Sequence, residues 1–131
     1  MLYVTLTCME REDLLIVGAQ MRYQGVDHLK RYVAGKENSL RDTVEEGLTF
    51  FLNSLKRPCR IDLRTDQYWL VKSRWTEDDS TPNLAAAVRR HQINWTLLLP
   101  DCKAILDAKH NLAGEIGLCR KISEIFFAPG K

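Results

Sequence analysis

The stretch Ile61-Asp62-Leu63-Arg64-Thr65-Asp66 decides how the rest of the sequence is interpreted. Apolar and polar residues alternate along it, which is typical of a β-strand with one buried face, and it ends on an acid. A segment with helical spacing precedes it, and residues 67–71, which include Tyr68 and Trp69, follow it. Because an α/β protein would place a metal ligand at the end of a core strand, the function depends on whether Asp66 has partners.

Length and composition indicate one domain, residues 1–131. The chain is 45% apolar and 27% charged, as in ordinary globular proteins. Its formal net charge of +2 is too small to indicate nucleic-acid binding by itself. We expect a cytoplasmic protein, because the apolar runs are far shorter than a membrane span and no signal peptide is recognisable.

The cysteines do not predict a metal site. The four of them are widely spaced and form no Cys-x-x-Cys pair: Cys8, Cys59, Cys102 and Cys119. A zinc site normally needs such a pair with further cysteines or histidines nearby. We therefore expect reduced, buried thiols and no metal ligand among them.

The order of predicted elements is that of a mixed α/β protein. Strands are expected near residues 2–8, 14–21 and 29–33, joined by tight turns as an antiparallel meander. A helix with one apolar face follows, with Ser39 or Asp42 as its cap and Pro58 beyond its end. The remaining predictions are a strand at 59–65, helices near 67–75 and 84–91, a strand at 93–99, a loop at 100–111 and a final helix near 112–127.

This order and several local strings resemble the ribonuclease H fold, as in type 1 and retroviral-type ribonuclease H domains. The string Leu63-Arg64-Thr65-Asp66, followed by Tyr68, is similar to the family's Thr-Asp-Ser-x-Tyr-Val. His91-Gln92-Ile93-Asn94-Trp95 resembles the end of its penultimate helix and its final strand, and Arg22-Tyr23-Gln24-Gly25 the turn after its second strand. The resemblance implies a five-stranded mixed sheet with strands 1–3 as a meander and helices on both faces.

The resemblance also implies a catalytic site to compare with. Family enzymes hydrolyse the RNA strand of RNA–DNA hybrids with two Mg²⁺ ions held by four carboxylates. Asp66 matches the third acid and Glu45 lies near the second. Cys8 stands at the first position, and Leu118, Cys119 or Arg120 at the fourth. His110 corresponds in position to a mobile histidine that precedes the last helix in the family.

Basic residues around the helix–strand junction predict a face that could bind phosphates. They are Lys56, Arg57, Arg60 and Arg64, to which Lys72, Arg74, Arg89 and Arg90 could add. Trp69 and Trp75 are candidates for stacking on bases. The acidic string Glu77-Asp78-Asp79 would instead repel phosphate.

Three hypotheses follow. The first is a catalytically degenerate ribonuclease H-like module that binds RNA, DNA or a hybrid without cleaving it, and needs no cofactor. The second is an interaction or structural module whose partner is a protein or a second copy of the chain. The third is a Mg²⁺-dependent nuclease with a rearranged site that uses Asp62, Asp101 or Glu115. The retained acids are two at most, which favours a protein that is not an enzyme.

Overall fold

The computed structural model describes residues 1–72, 82–113 and 121–127, with Ala113 and the last segment described by their backbone alone. The described elements, in chain order, are β1 (Leu2–Arg11), β2 (Leu14–Tyr23), β3 (Val26–Gly35), α1 (Leu40–Asn53), β4 (Arg60–Thr65), α2 (Tyr68–Lys72), α3 (Pro82–Arg90), β5 (Gln92–Leu97), α4 (Lys103–Ala113) and β6 (Lys121–Phe127).

The strands form one mixed sheet in the order β5-β4-β1-β2-β3-β6. The pairs β1–β2 and β2–β3 are antiparallel, and the pairs β1–β4, β4–β5 and β3–β6 are parallel. At the β2–β3 turn, Gln24 and Gly25 both have positive φ (51° and 78°), as a two-residue hairpin requires. The predicted mixed α/β arrangement with its antiparallel meander is confirmed and is consistent with a ribonuclease H-like fold, but the sheet has six strands in the described residues rather than the expected five.

Helices cover both faces of the sheet, also as predicted. On one face, apolar side chains of β1, β2 and β4 pack against α1 and α3 in the main core, where Phe51 and Leu63 are fully buried. Ser39 caps α1, because its hydroxyl accepts a hydrogen bond of 3.0 Å from the Asp42 backbone N–H. On the other face α4 packs on β1 and β2, and Leu112 joins a second cluster with Ile16, Leu29 and Val33.

Two predictions for the C-terminal part were wrong. Residues 121–127 form β6 beside β3 rather than a helix. Four of these seven residues are Ile or Phe, which favour strands, and the pairing fills the edge of β3. Residues 100–111 are not all loop, because α4 begins at Lys103, with Ile105, Ala108 and Leu112 as its buried face. His110 therefore lies in the last turn of a helix.

None of the helices in the described ranges is long and apolar enough to span a membrane.

Gly18 sets how closely α4 approaches the sheet. A methyl group at this position would overlap the side chain of Leu112, which is only 4% exposed. We expect Gly18→Ala to lower the free energy of unfolding by about 1–3 kcal/mol through overpacking. Denaturant unfolding of Gly18→Ala, Leu112→Ala and the double variant measures this. The double variant should lose less than the sum of the single losses, and strict additivity would contradict the contact.

Candidate functional site

Asp66 follows the last residue of β4 and is held by three side chains. Since Leu6 of β1 lies beside Thr65, the next residue, Thr7, reaches Asp66: its hydroxyl donates to Oδ1 at 3.2 Å. Gln67 Nε2 donates to the same oxygen at 3.0 Å. Lys109 of α4 places its ammonium 3.8 Å from Oδ2, and the Asp66 side chain is only 5% exposed. The carboxylate is thus surrounded by donors of the protein itself.

Cys8 contributes its side chain to the main core rather than to this cluster. Side chains alternate along a strand, so Thr7 and Cys8 belong to opposite faces of the sheet. Burial raises the pKa of the Cys8 thiol to about 11, with a further contribution from the negative charge of Asp66. The thiol is therefore neutral at physiological pH, and the β1 side chain that contacts Asp66 is Thr7.

Glu45 is also paired with a cation. It is buried in α1, and Arg41 Nε donates to its Oε1 at 3.1 Å. The Arg41 guanidinium in turn lies 5.7 Å from the ring centroid of Trp69, a half-buried residue packed against the main core. Asp66, and Glu45, which was expected only near a family acid position, therefore each have a basic side chain beside them.

The other candidates of the acid site that the structure describes form no metal-binding group with Asp66. His110 and Asp101 are exposed, and Asp62 is half-buried within β4 with an Oδ1 that has no hydrogen-bond partner among the described residues. Glu115 and Arg120 lie outside the described residues. Across residues 1–72, 82–113 and 121–127, no group of three or more His, Cys, Asp or Glu side chains is placed to hold a metal ion.

A cleft of about 650 Å³ lies at the opposite end of β4. Its floor is the end of β2 and the start of β3, and its wall is residues 55–60, which connect α1 to β4. Of the described residues that line it, none is acidic and five are basic: His28, Lys30, Lys56, Arg57 and Arg60. We call this feature the basic cleft.

Lys30 is the buried charge of the basic cleft. It is 8% exposed, and its ammonium donates to the hydroxyl of Ser54, which itself donates to the Phe51 carbonyl at 2.6 Å. Within the part of the chain that is described, no carboxylate lies within 4.0 Å of this ammonium. A buried cation without an acid is costly, so the site favours an anionic ligand.

The end of α3 and the residue after it hold the wall of the basic cleft in place. The Cys59 backbone N–H donates to His91 Nδ1 at 2.9 Å, so the ring proton is on Nε2, which donates to the Leu52 carbonyl at 3.2 Å. Arg90 donates to the Leu55 carbonyl at 2.8 Å. Burial lowers the pKa of His91, and the charge of Arg90 lowers it further, against the hydrogen bond to Leu52.

The structure brings together part of the predicted basic face. Lys56, Arg57 and Arg60 line the basic cleft, and Arg90 contacts its wall. Arg64 is exposed and shares a face of β4 with Arg60, but it is four residues further along the strand and does not line the basic cleft. Arg89 is exposed in the last turn of α3, whereas Arg74 and Trp75 lie outside the described residues.

The positions of His28 and Lys30 in the basic cleft, and of His91 behind its wall, were not predicted from the sequence. His28, Lys30 and Tyr32 lie on one face of β3, and Leu29, Arg31 and Val33 lie on the other. Neither face of this strand is purely apolar, so its pattern does not separate a binding face from a core face. His91 carries no motif, and only its contacts to residues 52 and 59 reveal its role.

Comparisons with known proteins give a distant likeness. No protein-family model and no curated protein matches the chain. Among solved structures, the chain is similar to the foamy viral protease-reverse transcriptase in complex with dsDNA. The identity is 12% and the TM-score 0.39, over 99% of this chain and 81% of that one.

Proposed function

We propose that this chain is a ribonuclease H-like module that binds nucleic acid through the basic cleft and does not cleave it. The observation that carries the proposal is the basic cleft itself, whose described lining has five basic side chains, the buried Lys30 ammonium among them, and no acid. Phosphate groups supply the negative charge that such a cleft lacks, and contacts to them account for most non-specific affinity for nucleic acid.

The contacts of Asp66 and Glu45 support the proposal that the chain does not cleave nucleic acid. Two-metal hydrolysis needs carboxylates that are free to bind divalent cations. Here the carboxylate of Asp66 contacts Lys109, Thr7 and Gln67, and that of Glu45 contacts Arg41. A cation entering either position would have to displace a positively charged side chain.

The position of the basic cleft also supports binding without cleavage. The cleft includes Arg60, the first residue of β4, whereas Asp66 follows the last residue of this six-residue strand. A strand of this length spans roughly 20 Å. Phosphates bound in the basic cleft are therefore held away from Asp66.

Binding and cleavage can be tested with the same substrates. We expect labelled single strands, duplexes or RNA–DNA hybrids to be retained at low salt and released as salt rises. We expect no hybrid cleavage with Mg²⁺ or Mn²⁺, and the same result for Asp66→Asn. Metal-dependent cleavage that Asp66→Asn abolishes would overturn the non-catalytic part of the proposal. If no nucleic acid is retained at low salt, the binding part is wrong.

A further inference from the structure

The lining of the basic cleft contains apolar side chains as well as basic ones. Beside the five basic residues it includes Leu2, Met21, Tyr23, Leu55 and Pro58. Leu2 and Met21 are also buried in the main core, but Tyr23 and Pro58 are exposed, and contacts to phosphates alone would leave these two without a partner. The combination fits a ligand that offers an anionic group and an apolar ring together.

We propose that the basic cleft binds single-stranded nucleic acid, with an unstacked base against Tyr23 and the neighbouring phosphates on Lys30 and residues 56–60. This inference rests on the proposed function and names its substrate. The proposed binding site differs from the one that the resemblance implies, because the basic cleft lies at the opposite end of β4 from Asp66.

The shape of the basic cleft favours a single strand over a duplex. At about 650 Å³ it falls within the ~300–1,000 Å³ range of pockets that enclose small molecules, so one nucleotide can enter it. A duplex keeps its bases stacked and paired, and would present only its backbone to the cleft. The apolar lining would then have no partner, whereas a single strand can turn a base into it at little cost.

Tyr23 is placed to stack on such a base. It is the last residue of β2, 50% exposed, and alternation puts it on the same face of the sheet as Met21. His28 and Lys30 of the adjacent β3 share the cleft with it. An aromatic ring beside basic side chains is the arrangement by which proteins bind single strands with little sequence preference.

Fluorescence anisotropy at low salt tests the inference with a labelled oligo(dT), its duplex with oligo(dA), and thymidine monophosphate as competitor. We expect the single strand to bind more tightly than the duplex, and the mononucleotide to compete only weakly. We expect Tyr23→Ala to weaken single-strand binding about tenfold through loss of stacking, with little effect on the duplex. Tyr23→Phe, which keeps the ring, should bind normally.

Tyr3→Ala is the matched control. Tyr3 is also 50% exposed on a strand, but it is not among the residues that line the basic cleft. Equal binding of duplex and single strand, no effect of Tyr23→Ala, an equal effect of Tyr3→Ala, or a mononucleotide that binds as tightly as the oligonucleotide would each overturn the inference. The proposed function fails separately, if none of the nucleic acids binds at low salt.

Discussion

Replacing Lys56, Arg57 and Arg60 together by alanine is expected to weaken nucleic-acid binding roughly a hundredfold or more at about 50 mM salt. Each of these exposed side chains lines the basic cleft, and each is expected to neutralise one phosphate and release its condensed counterions. For a single strand, the loss of three such contacts makes the negative slope of log association constant against log salt concentration shallower by about 2. Titrations at several salt concentrations measure both quantities.

A second triple variant distinguishes the effect of losing basic residues of the cleft from the effect of lowering the net charge. Lys36, Lys72 and Lys103 are exposed and lie outside the cleft lining. Alanine at these three positions changes the formal net charge from +2 to −1, as the first triple variant does. We expect the control to keep most of the affinity and of the salt slope. Equal losses in the two variants would mean that phosphates do not bind preferentially in the cleft.

Replacing His91 by alanine is expected to lower the free energy of unfolding by about 2–4 kcal/mol at neutral pH. The ring accepts the Cys59 N–H and donates to the Leu52 carbonyl, and its loss leaves both groups without a partner in a buried region. Urea unfolding measures the change. His110→Ala is the control, because His110 is exposed, and it should change stability by less than about 0.5 kcal/mol. Equal effects of the two substitutions would contradict the role of His91.

The same contacts give the sign of a pH dependence. The ring is neutral in the folded protein, and burial lowers its pKa from the usual 6.5. Above pH 6.5 it is neutral in both states, so its stabilising contribution is complete. Below that pH the unfolded chain takes up the proton first, and stability falls until the folded-state pKa is passed. We expect this part of the loss of stability below pH 6.5 to disappear in His91→Gln. If the loss persists unchanged in that variant, other titrating groups cause it.

The parts of the fold that were predictable are those with local patterns. The alternation in residues 61–66 and the apolar stripe of α1 identify a strand and a helix from the residues of each element alone. Residues 121–127 carry Ile and Phe at spacings that suit a helix as well as a strand. Only the unfilled edge of β3, nearly a hundred residues away in sequence, selects the strand.

The basic cleft was only partly predictable for the same reason. The run of basic residues at 56–60 is visible in the sequence. The Lys30–Ser54 contact and the His91–Cys59 contact join positions that are 24 and 32 residues apart, and no local pattern links them. The pairing of Asp66 with Lys109 likewise depends on how α4 packs on the sheet.

The cluster of Thr7, Asp66 and Lys109 has a consequence for evolution. An acid at position 7 would face Asp66 across about the distance that Thr7 now spans, 3.2 Å, and the single Lys109 ammonium, 3.8 Å from Asp66, could offset only one of the two negative charges. Two carboxylates so close repel each other unless one is protonated or a divalent cation lies between them. Removing Lys109 alone would leave a nearly buried carboxylate without a counter-charge. Each single substitution toward a metal site therefore carries its own penalty, so selection could reach such a site only through paired changes.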